Sequence, residues 1–184
     1  MRLWEWKNQM MPHNDDTIRT VLYNGLLLEI QYSAGLIIST RLSRGDNFDS
    51  TPDLTPYECV DVSKLDFSRV SEFKWCVYRF LMRTIPQGSI ITYGEIAKSL
   101  GSKGYSRAVG TALSNNPWPI LVPCHRVVPE NGFIGEYNSL DGIETKSKIL
   151  RSEGLEIGKF GKYDQKNLIK IATDDTDANI QTKM

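Results

Sequence analysis

The strongest constraint on the fold is a change in the spacing of apolar residues along the chain. Between residues 17 and 43 apolar and polar positions alternate, in "TIRTVLYNGLLLEIQYS" followed by "GLIISTRLS". Alternation of this kind is typical of strands with one buried face, so the segment predicts two or three β-strands. The pairs "NG" and "AG" between the apolar runs are candidate hairpin turns. We therefore predict a small β-rich N-terminal domain over residues 1–62.

Beyond this domain the apolar residues repeat at helical spacing. The segment "DFSRVSEFKWCVYRFLMRTI", residues 66–85, places Phe73, Val77 and Leu81 on one face. Either Ser68 or Ser71 is available as the N-terminal cap, because a serine hydroxyl accepts from the first free backbone N–H groups of a helix. The segment therefore predicts one helix with a core-facing side.

Two further short helices follow in "SIITYGEIAKSLGSKGYSRAVGTALSNNP". The first spans residues 93–100, with Thr92 and Glu95 at the spacing of a capping box. Gly101 ends it, and a second helix begins at Ser106. A helix, a tight glycine-containing turn and a second helix form the pattern of a helix-turn-helix. A last helix is predicted in "IETKSKILRSEG".

The composition restricts the class of protein. The formal net charge is zero, so binding to nucleic acid would require a local basic face. Three cysteines without CxxC spacing (Cys59, Cys76 and Cys124) and only two histidines (His13 and His125) predict neither a disulfide framework nor a metal site. We expect a reducing compartment: the cytoplasm, or the nucleus if the source is a eukaryote. No apolar run approaches the ~20 residues needed to cross a membrane.

Cys124 lies in "NNPWPILVPCHRVVPENG" and has two interpretations. A lone cysteine is more often a small buried hydrophobe than a nucleophile. Here, however, it follows "PILVP", which we interpret as a buried extended segment ending at a sharp corner, and Arg126 adds a positive potential that favours thiolate. A Cys-His-acid arrangement would also need a carboxylate to orient His125. The pattern does not choose among four downstream candidates, Glu136, Asp141, Glu144 and Glu153.

The second helix of the helix-turn-helix, "SRAVGTALSNN", is made mostly of small residues. Such a helix could simply pack closely on a neighbour. Alternatively, its small side chains could permit close approach to a nucleic-acid backbone, with Arg107 inserted between bases. Proteins that read base sequence in the major groove usually carry several long polar side chains on this helix. The scarcity of such side chains here favours binding by shape or through the minor groove.

The motif "PCHRV", preceded by "NPWPILV" and followed by "GFIGEY", resembles the active-site signature of the O6-alkylguanine-DNA alkyltransferases. These proteins are also called methylated-DNA–protein-cysteine methyltransferases. The resemblance covers about residues 69–156. It implies an α+β fold with a small β-rich N-terminal domain and a helical, winged-helix-like domain over residues 63–156 that contains the helix-turn-helix. Residues 157–184 are expected to form a C-terminal tail.

The resemblance also implies roles for individual residues. Cys124 matches the cysteine that accepts the alkyl group, and His125 matches the histidine that deprotonates it through a water. Glu153 matches the carboxylate that orients the histidine, and Asn116 matches the hinge between the recognition helix and the active-site strand. Tyr93 matches the tyrosine that assists base flipping.

The resemblance also implies which residues contact DNA and which residues form the substrate pocket. The DNA-binding residues are Tyr93, Ala108, Gly110, Thr111, Ala112 and Arg107, which resembles the finger that fills the gap left by the flipped base. The substrate pocket comprises Leu113, Val127, Tyr137, Asn138 and Ser139. The loop "NSLDGIE" departs from the family pattern, and we expect Asn138 or Ser139 to replace the usual serine contact. The change bears on which alkyl adducts fit the pocket. Zinc ligands of some relatives have no match.

The implied function is direct DNA repair by a single-turnover methyltransferase. The alkyl group of O6-alkylguanine in double-stranded DNA would pass irreversibly to Cys124, with the protein bound as a monomer in the minor groove and no cofactor or metal. Two alternatives stay open. One is a module that binds alkylated DNA and signals damage without repair, and the other is a cysteine hydrolase that turns over repeatedly.

Overall fold

The computed structural model describes residues 16–44 and 60–171. A three-stranded antiparallel sheet comes first in the chain and a helical region follows, so the predicted α+β fold is confirmed. His13, Cys59 and residues 172–184 of the predicted tail lie outside the described residues. Within the described ranges, no helix is long and apolar enough to cross a membrane.

The sheet is a meander of three strands. They are β1 (Thr17–Tyr23), β2 (Leu26–Ser33) and β3 (Leu36–Arg44), paired in the order β1-β2-β3. Both predicted turns occur, and both central residues of each have positive φ: 53° and 69° at Asn24 and Gly25, 48° and 77° at Ala34 and Gly35. Two consecutive positive φ angles are the signature of the type I′ turn, whose twist matches that of the strands.

The first helix, α1, spans Glu72–Thr84. Of the two candidate caps, Ser71 is the one used, since its hydroxyl accepts from the backbone N–H of Lys74 at 3.5 Å. Residues 67–69, which were predicted as part of the helix, form a separate 3-10 turn capped by Asp66. The buried side of α1 carries Val77, Leu81 and also Tyr78.

The predicted helix-turn-helix is formed by α2 (Tyr93–Ser99) and α3 (Ser106–Ser114), which pack against each other. The Thr92 hydroxyl caps α2 by accepting from the N–H of Glu95 at 3.1 Å. The Glu95 carboxylate accepts from the backbone N–H of Ile171 at 3.2 Å. Glu95 therefore ties the first turn of α2 to the C-terminal segment.

A short parallel ladder joins the helix-turn-helix to the segment that follows Cys124. Strand β4 (Ile91–Thr92) precedes α2 directly, and it pairs with β5 (Val127–Val128). The start of α2 is therefore held beside the segment of the predicted nucleophile. The last helix, α4, spans Ile143–Ser152 and ends at Glu153 and Gly154, where φ is +92°.

The sheet and the helices share one apolar core centred on Trp118, which is fully buried. Its indole N–H donates to the backbone oxygen of Ile37 in β3 at 3.0 Å, and its ring meets Tyr78 of α1 edge-on. Thr40 of β3 adds a hydrogen bond from its hydroxyl to the carbonyl of Pro119 at 2.8 Å. The sheet is thereby fixed to the segment that leads to Cys124.

Candidate active site

The segment before Cys124 is a tight turn, so the prediction of an extended active-site strand is wrong. The N–H of Val122 donates to the carbonyl of Trp118 at 2.8 Å and closes the turn. Ile120 inside it has φ of +74°, which is unfavourable for a β-branched residue and costs roughly 1–3 kcal/mol. Its side chain is fully buried, and this packing holds the strained backbone in place.

Cys124 begins a 3-10 turn, Cys124–Arg126, and its sulfur is held by Asn116. The Asn116 amide donates to Cys124 Sγ at 3.2 Å and to the carbonyl of Val122 at 3.1 Å. Its oxygen accepts from the N–H of Trp118 at 3.0 Å. Asn116 thus links the end of α3, the tight turn and the sulfur through one side chain.

The environment of the sulfur keeps Cys124 a thiol at rest. Burial raises the pKa of Cys124 above its ordinary value. Four contributions oppose this effect: the Asn116 amide, the charge of Lys146, the backbone N–H of Cys124 itself and a hydrogen bond from Tyr137. Because burial outweighs them, the sulfur needs a base to become a thiolate.

His125, the residue after Cys124, forms a buried pair with Glu153. His125 Nε2 lies 3.0 Å from Glu153 Oε1, and both side chains are shielded from solvent. A carboxylate only accepts hydrogen bonds, so Nε2 carries the proton in the neutral ring and Nδ1 is left with its lone pair. Among the described residues Nδ1 has no hydrogen-bond partner. His125 therefore presents a free basic nitrogen.

Burial, together with two nearby cations, favours the neutral form of His125. Burial lowers the pKa of His125, the hydrogen bond and charge of Glu153 raise it, and the charges of Arg126 and Lys146 lower it further. The net effect is a lowered pKa, so the imidazole is neutral near pH 7. Neutral imidazole is the form that can accept a proton from a thiol.

Glu153 is fixed in its charged form. Burial alone would raise the pKa of Glu153, but the hydrogen bonds and charges of His125 and Arg126 outweigh it and lower the pKa to about 2. Arg126 binds the carboxylate with two nitrogens, Nε to Oε2 at 2.9 Å and Nη2 to Oε1 at 2.7 Å. A bidentate guanidinium of this kind sets the orientation of the carboxylate as well as its charge.

Of the four carboxylates that the sequence left open, the structure places only Glu153 against His125. Asp141 pairs with Arg44 at the surface, and Glu136 lies in the wall of the pocket described below. Glu144 lies in the first turn of α4 and is exposed.

The predicted electrostatic role of Arg126 at the sulfur is corrected by the same geometry. Arg126 is engaged by Glu153 and by the carbonyl of Ile85, and the cation that lowers the pKa of Cys124 is Lys146. The reason is geometric. A 3-10 turn has three residues per turn, so the side chains of Cys124 and Arg126, two positions apart, point to different sides.

Lys146 is a functional candidate that sequence reasoning missed. It is 1% exposed, and its ammonium donates to the carbonyls of Val127 at 2.7 Å and Ile134 at 2.5 Å. Burial lowers the pKa of Lys146 to about 8. One sequence signal could have found it: residue 146 stands three positions after Ile143 and three before Ile149, on the apolar side of the helix.

A pocket of about 400 Å³ opens above Cys124. It is lined by Tyr93, Gly110, Leu113, Ser114, Asn116, Pro119, Cys124, Glu136, Tyr137, Asn138, Ser139 and Lys146. Four of the five residues predicted for the substrate pocket are in this wall. Asn138 also donates from its amide to the carbonyl of Ser114 at 3.0 Å, which ties the divergent loop to the end of α3.

Val127 is the exception, because it does not line this wall. It lies fully buried in β5, its N–H donates to the carbonyl of Cys124, and its own carbonyl accepts from Lys146. A carbonyl oxygen has a second lone pair, so a contact of the Val127 main chain with the base stays a prediction.

The predicted recognition helix α3 exposes only part of the predicted DNA-binding set. Arg107, Ala108 and Thr111 face solvent, while Gly110 is half-buried beside the ring of Tyr93. Ala112 is 1% exposed and its carbonyl accepts from the Tyr78 hydroxyl at 2.7 Å, so the prediction that it contacts DNA is wrong. At helical spacing Ala112 shares the core-facing side with Val109.

Over residues 16–44 and 60–171, no group of three or more His, Cys, Asp or Glu side chains could hold a metal ion. Cys76, one of the two cysteines in those ranges, lies half-buried on α1. The chemistry available at the site is therefore that of a cysteine, a neutral imidazole, a buried carboxylate and a buried ammonium.

Known proteins show the same arrangement of elements. Residues 72–155 match the family described as "6-O-methylguanine DNA methyltransferase, DNA binding domain". The methylated-DNA–protein-cysteine methyltransferase of Thermococcus kodakarensis is 47% identical over 93 residues, which cover 50% of this chain and 51% of that protein. The chain thus matches about half the length of its curated relatives.

Two solved structures extend the comparison. The O6-methylguanine-DNA methyltransferase of the archaeon Pyrococcus kodakaraensis superposes with a TM-score of 0.57 at 29% identity, covering 76% of this chain and 99% of that one. S. pombe Atl1, in complex with damaged DNA containing O6-carboxymethylguanine, superposes with a TM-score of 0.50 at 32% identity, covering 56% of this chain and 99% of that one. Residues 72–155 thus form the domain described as the DNA-binding domain of the O6-methylguanine DNA methyltransferase family.

Proposed function

We propose that this protein repairs O6-alkylguanine in DNA by moving the alkyl group onto Cys124, once per molecule. The observation that carries the proposal is the position of Cys124 in the wall of a pocket beneath α3, next in the chain to His125, whose ring is hydrogen-bonded to the ionised Glu153. The match of residues 72–155 to this family's DNA-binding domain supports the substrate class.

The first step is extrusion of the damaged base. O6-alkylation weakens pairing of guanine, which reduces the cost of flipping it out of the stack. Arg107, exposed on α3, is placed to enter the gap, and the small exposed residues Ala108 and Thr111 allow the helix to approach the backbone in the minor groove. The base would enter the pocket between Tyr93 and Tyr137.

The second step is an SN2 displacement. The Cys124 thiol gives its proton through a water to His125 Nδ1, and the imidazolium is stabilised by Glu153. The thiolate attacks the alkyl carbon, so that the S–C bond forms as the C–O6 bond breaks and its electron pair leaves with guanine. Burial raises the pKa of Tyr93, as does the charge of Cys124, so its hydroxyl is a neutral donor that can protonate or hydrogen-bond the departing base.

The S-alkyl bond persists once formed, because a thiolate is a poor leaving group from a saturated carbon at neutral pH. The reaction would therefore consume the protein. We propose that it acts as a monomer on double-stranded DNA, in the intracellular compartment that holds the DNA.

The decisive experiment uses double-stranded DNA with labelled O6-methylguanine. One label per protein should appear on the peptide containing Cys124, as located by mass spectrometry. Cys124→Ser should accept none, whereas Cys76→Ser should accept as much as the wild type. Label on the Cys124→Ser protein, or repeated turnover by the wild type, would exclude the proposal.

A non-repairing damage-binding protein is the second candidate. It is favoured by the likeness to Atl1 in a complex with damaged DNA and by the loop at Asn138, which departs from the family pattern. This candidate predicts tight binding of lesion DNA with no label on Cys124. The same experiment therefore separates the two functions. A hydrolase would release product repeatedly from ester or amide substrates.

A further inference from the structure

We propose that Tyr23, in the N-terminal sheet, is a positioning residue for the reaction at Cys124, acting through Glu153 and His125. This inference rests on the proposed function. Tyr23 is the last residue of β1 and is 4% exposed. Its hydroxyl donates to Glu153 Oε1 at 3.0 Å, across 130 residues of sequence.

Tyr23 donates to the same carboxylate oxygen that His125 contacts. Glu153 Oε1 accepts hydrogen bonds from Tyr23 Oη at 3.0 Å, His125 Nε2 at 3.0 Å and Arg126 Nη2 at 2.7 Å. A carboxylate has about four acceptor positions on its two oxygens, so Oε1 is fully occupied. The Tyr23 hydroxyl therefore shares with His125 the charge of a single oxygen.

The direction in which the Tyr23 hydroxyl changes the basicity of His125 can be predicted. Each additional donor stabilises the carboxylate and makes it a weaker acceptor towards the others. Loss of the Tyr23 hydroxyl would strengthen the bond from Glu153 to His125 and make the imidazole more basic. His125 would then hold its proton to higher pH, and at a pH where the ring is already protonated it could not take a proton from Cys124.

The fold holds Tyr23 in this position from two sides. Tyr23 precedes the Asn24–Gly25 turn and pairs with Leu26 across it. Lys148, on α4, lies with its ammonium 3.5 Å from the carbonyl of Gly25. The turn is thus attached to the helix that ends at Glu153, and the N-terminal sheet completes the active site in addition to packing against it.

Other ionisable groups also face this pair. Glu153 is contacted by Tyr23 from β1 and by His125 and Arg126 from the 3-10 turn, and His125 is additionally influenced by Lys146 from α4 and adjoins Cys124. Of the donors to Glu153 named above, the Tyr23 hydroxyl can be deleted without removing either a charge or the proposed base. Tyr23→Phe is therefore the informative substitution.

The first measurement needs neither DNA nor activity. Histidine labelled with ¹⁵N reports the titration of His125 by NMR, and the only other histidine, His13, is removed by His13→Gln. We expect the Tyr23→Phe protein to titrate at higher pH than the wild type. Tyr32→Phe, a matched change of a partly buried tyrosine in β2 of the same sheet, should leave the titration unchanged.

The second measurement is the rate of alkyl transfer as a function of pH. At pH 6 we expect Tyr23→Phe to be slower by about 3- to 10-fold, the effect of one hydrogen bond, with the difference disappearing as the pH rises. A purely structural defect would lower the rate equally at every pH. Replacement of Tyr23 by 3-fluorotyrosine, a stronger donor of the same shape, should move both measurements in the opposite direction and serves if the phenylalanine variant folds poorly.

The outcomes separate the two proposals. Wild-type protein that binds lesion DNA without alkylation of Cys124 would refute the proposed function. Wild-type protein that transfers the alkyl group, combined with an unchanged His125 titration and pH profile in Tyr23→Phe and the fluorotyrosine protein, would refute the role of Tyr23 alone.

Discussion

The amide nitrogen of Asn116 lies 3.2 Å from Cys124 Sγ and 3.1 Å from the carbonyl of Val122. One side chain therefore donates both to the nucleophile and to the turn that presents it. Asn116 follows Asn115, the C-cap of α3, so its side chain joins the end of this helix to the sulfur.

Asn116→Ala should slow alkyl transfer by about 10- to 100-fold, because the donor would be worth roughly 1.5–3 kcal/mol to the thiolate. The rate should be measured on lesion DNA and with a small thiol reagent, both of which need the thiolate. Asn115→Ala is the matched control, since the neighbouring amide donates to the carbonyl of Thr111 and does not approach the sulfur. Equal losses in the two variants would contradict a role of Asn116 at Cys124.

Acid should destabilise the protein through Glu153. The folded-state pKa of Glu153 is about 2, below its ordinary value of 4.5, so the carboxylate stabilises the fold fully above pH 4.5. That contribution, about 3 kcal/mol, is lost as the pH falls from 4.5 towards 2. Urea denaturation between pH 2 and 6 measures it.

Glu153→Gln provides the comparison for the acid effect. It should remove this part of the pH dependence and lower the free energy of unfolding near pH 7 by about 3–5 kcal/mol, because Arg126 becomes an uncompensated buried charge. Glu156→Gln, at an exposed pair with Lys166, should change it by less than about 1 kcal/mol. A Glu153→Gln protein with the acid transition of the wild type would disprove the assignment.

Alkali should have the opposite effect through Lys146. Burial lowers its pKa from 10.5 to about 8, so between these values the unfolded chain binds more protons than the folded one. The free energy of unfolding should therefore rise with pH over this interval, by about 3 kcal/mol in total from this group. Lys146→Met should abolish the rise, and Lys148→Met, at an exposed position of the same helix, should retain it.

Arg107→Ala should separate base flipping from chemistry. If Arg107 fills the gap left by the base, its loss should slow transfer from double-stranded DNA by roughly 10- to 100-fold, a fraction of the unstacking energy. Transfer from a free O6-alkylguanine base should change little, because that substrate needs no flipping. A similar loss on both substrates would show that Arg107 acts on the fold or on the pocket.

The sequence by itself determined much of the local structure and identified Cys124 as the candidate nucleophile. The type I′ turn at Asn24–Gly25 and the cap at Thr92 follow from neighbours in the chain, since they depend on φ angles and hydrogen bonds spanning a few residues. The motif around Cys124 was equally local, so it could be read from one short segment.

Only the tertiary structure decided how distant groups act on that thiol. It selected Glu153 among four carboxylates, moved the cation at the sulfur from Arg126 to Lys146, and brought Tyr23 of the sheet to the same site. The tertiary structure also buries Ala112 in the core and holds Ile120 in a strained turn. These outcomes depend on which buried polar groups find partners and which apolar faces meet, and a pattern of neighbouring residues does not contain that information.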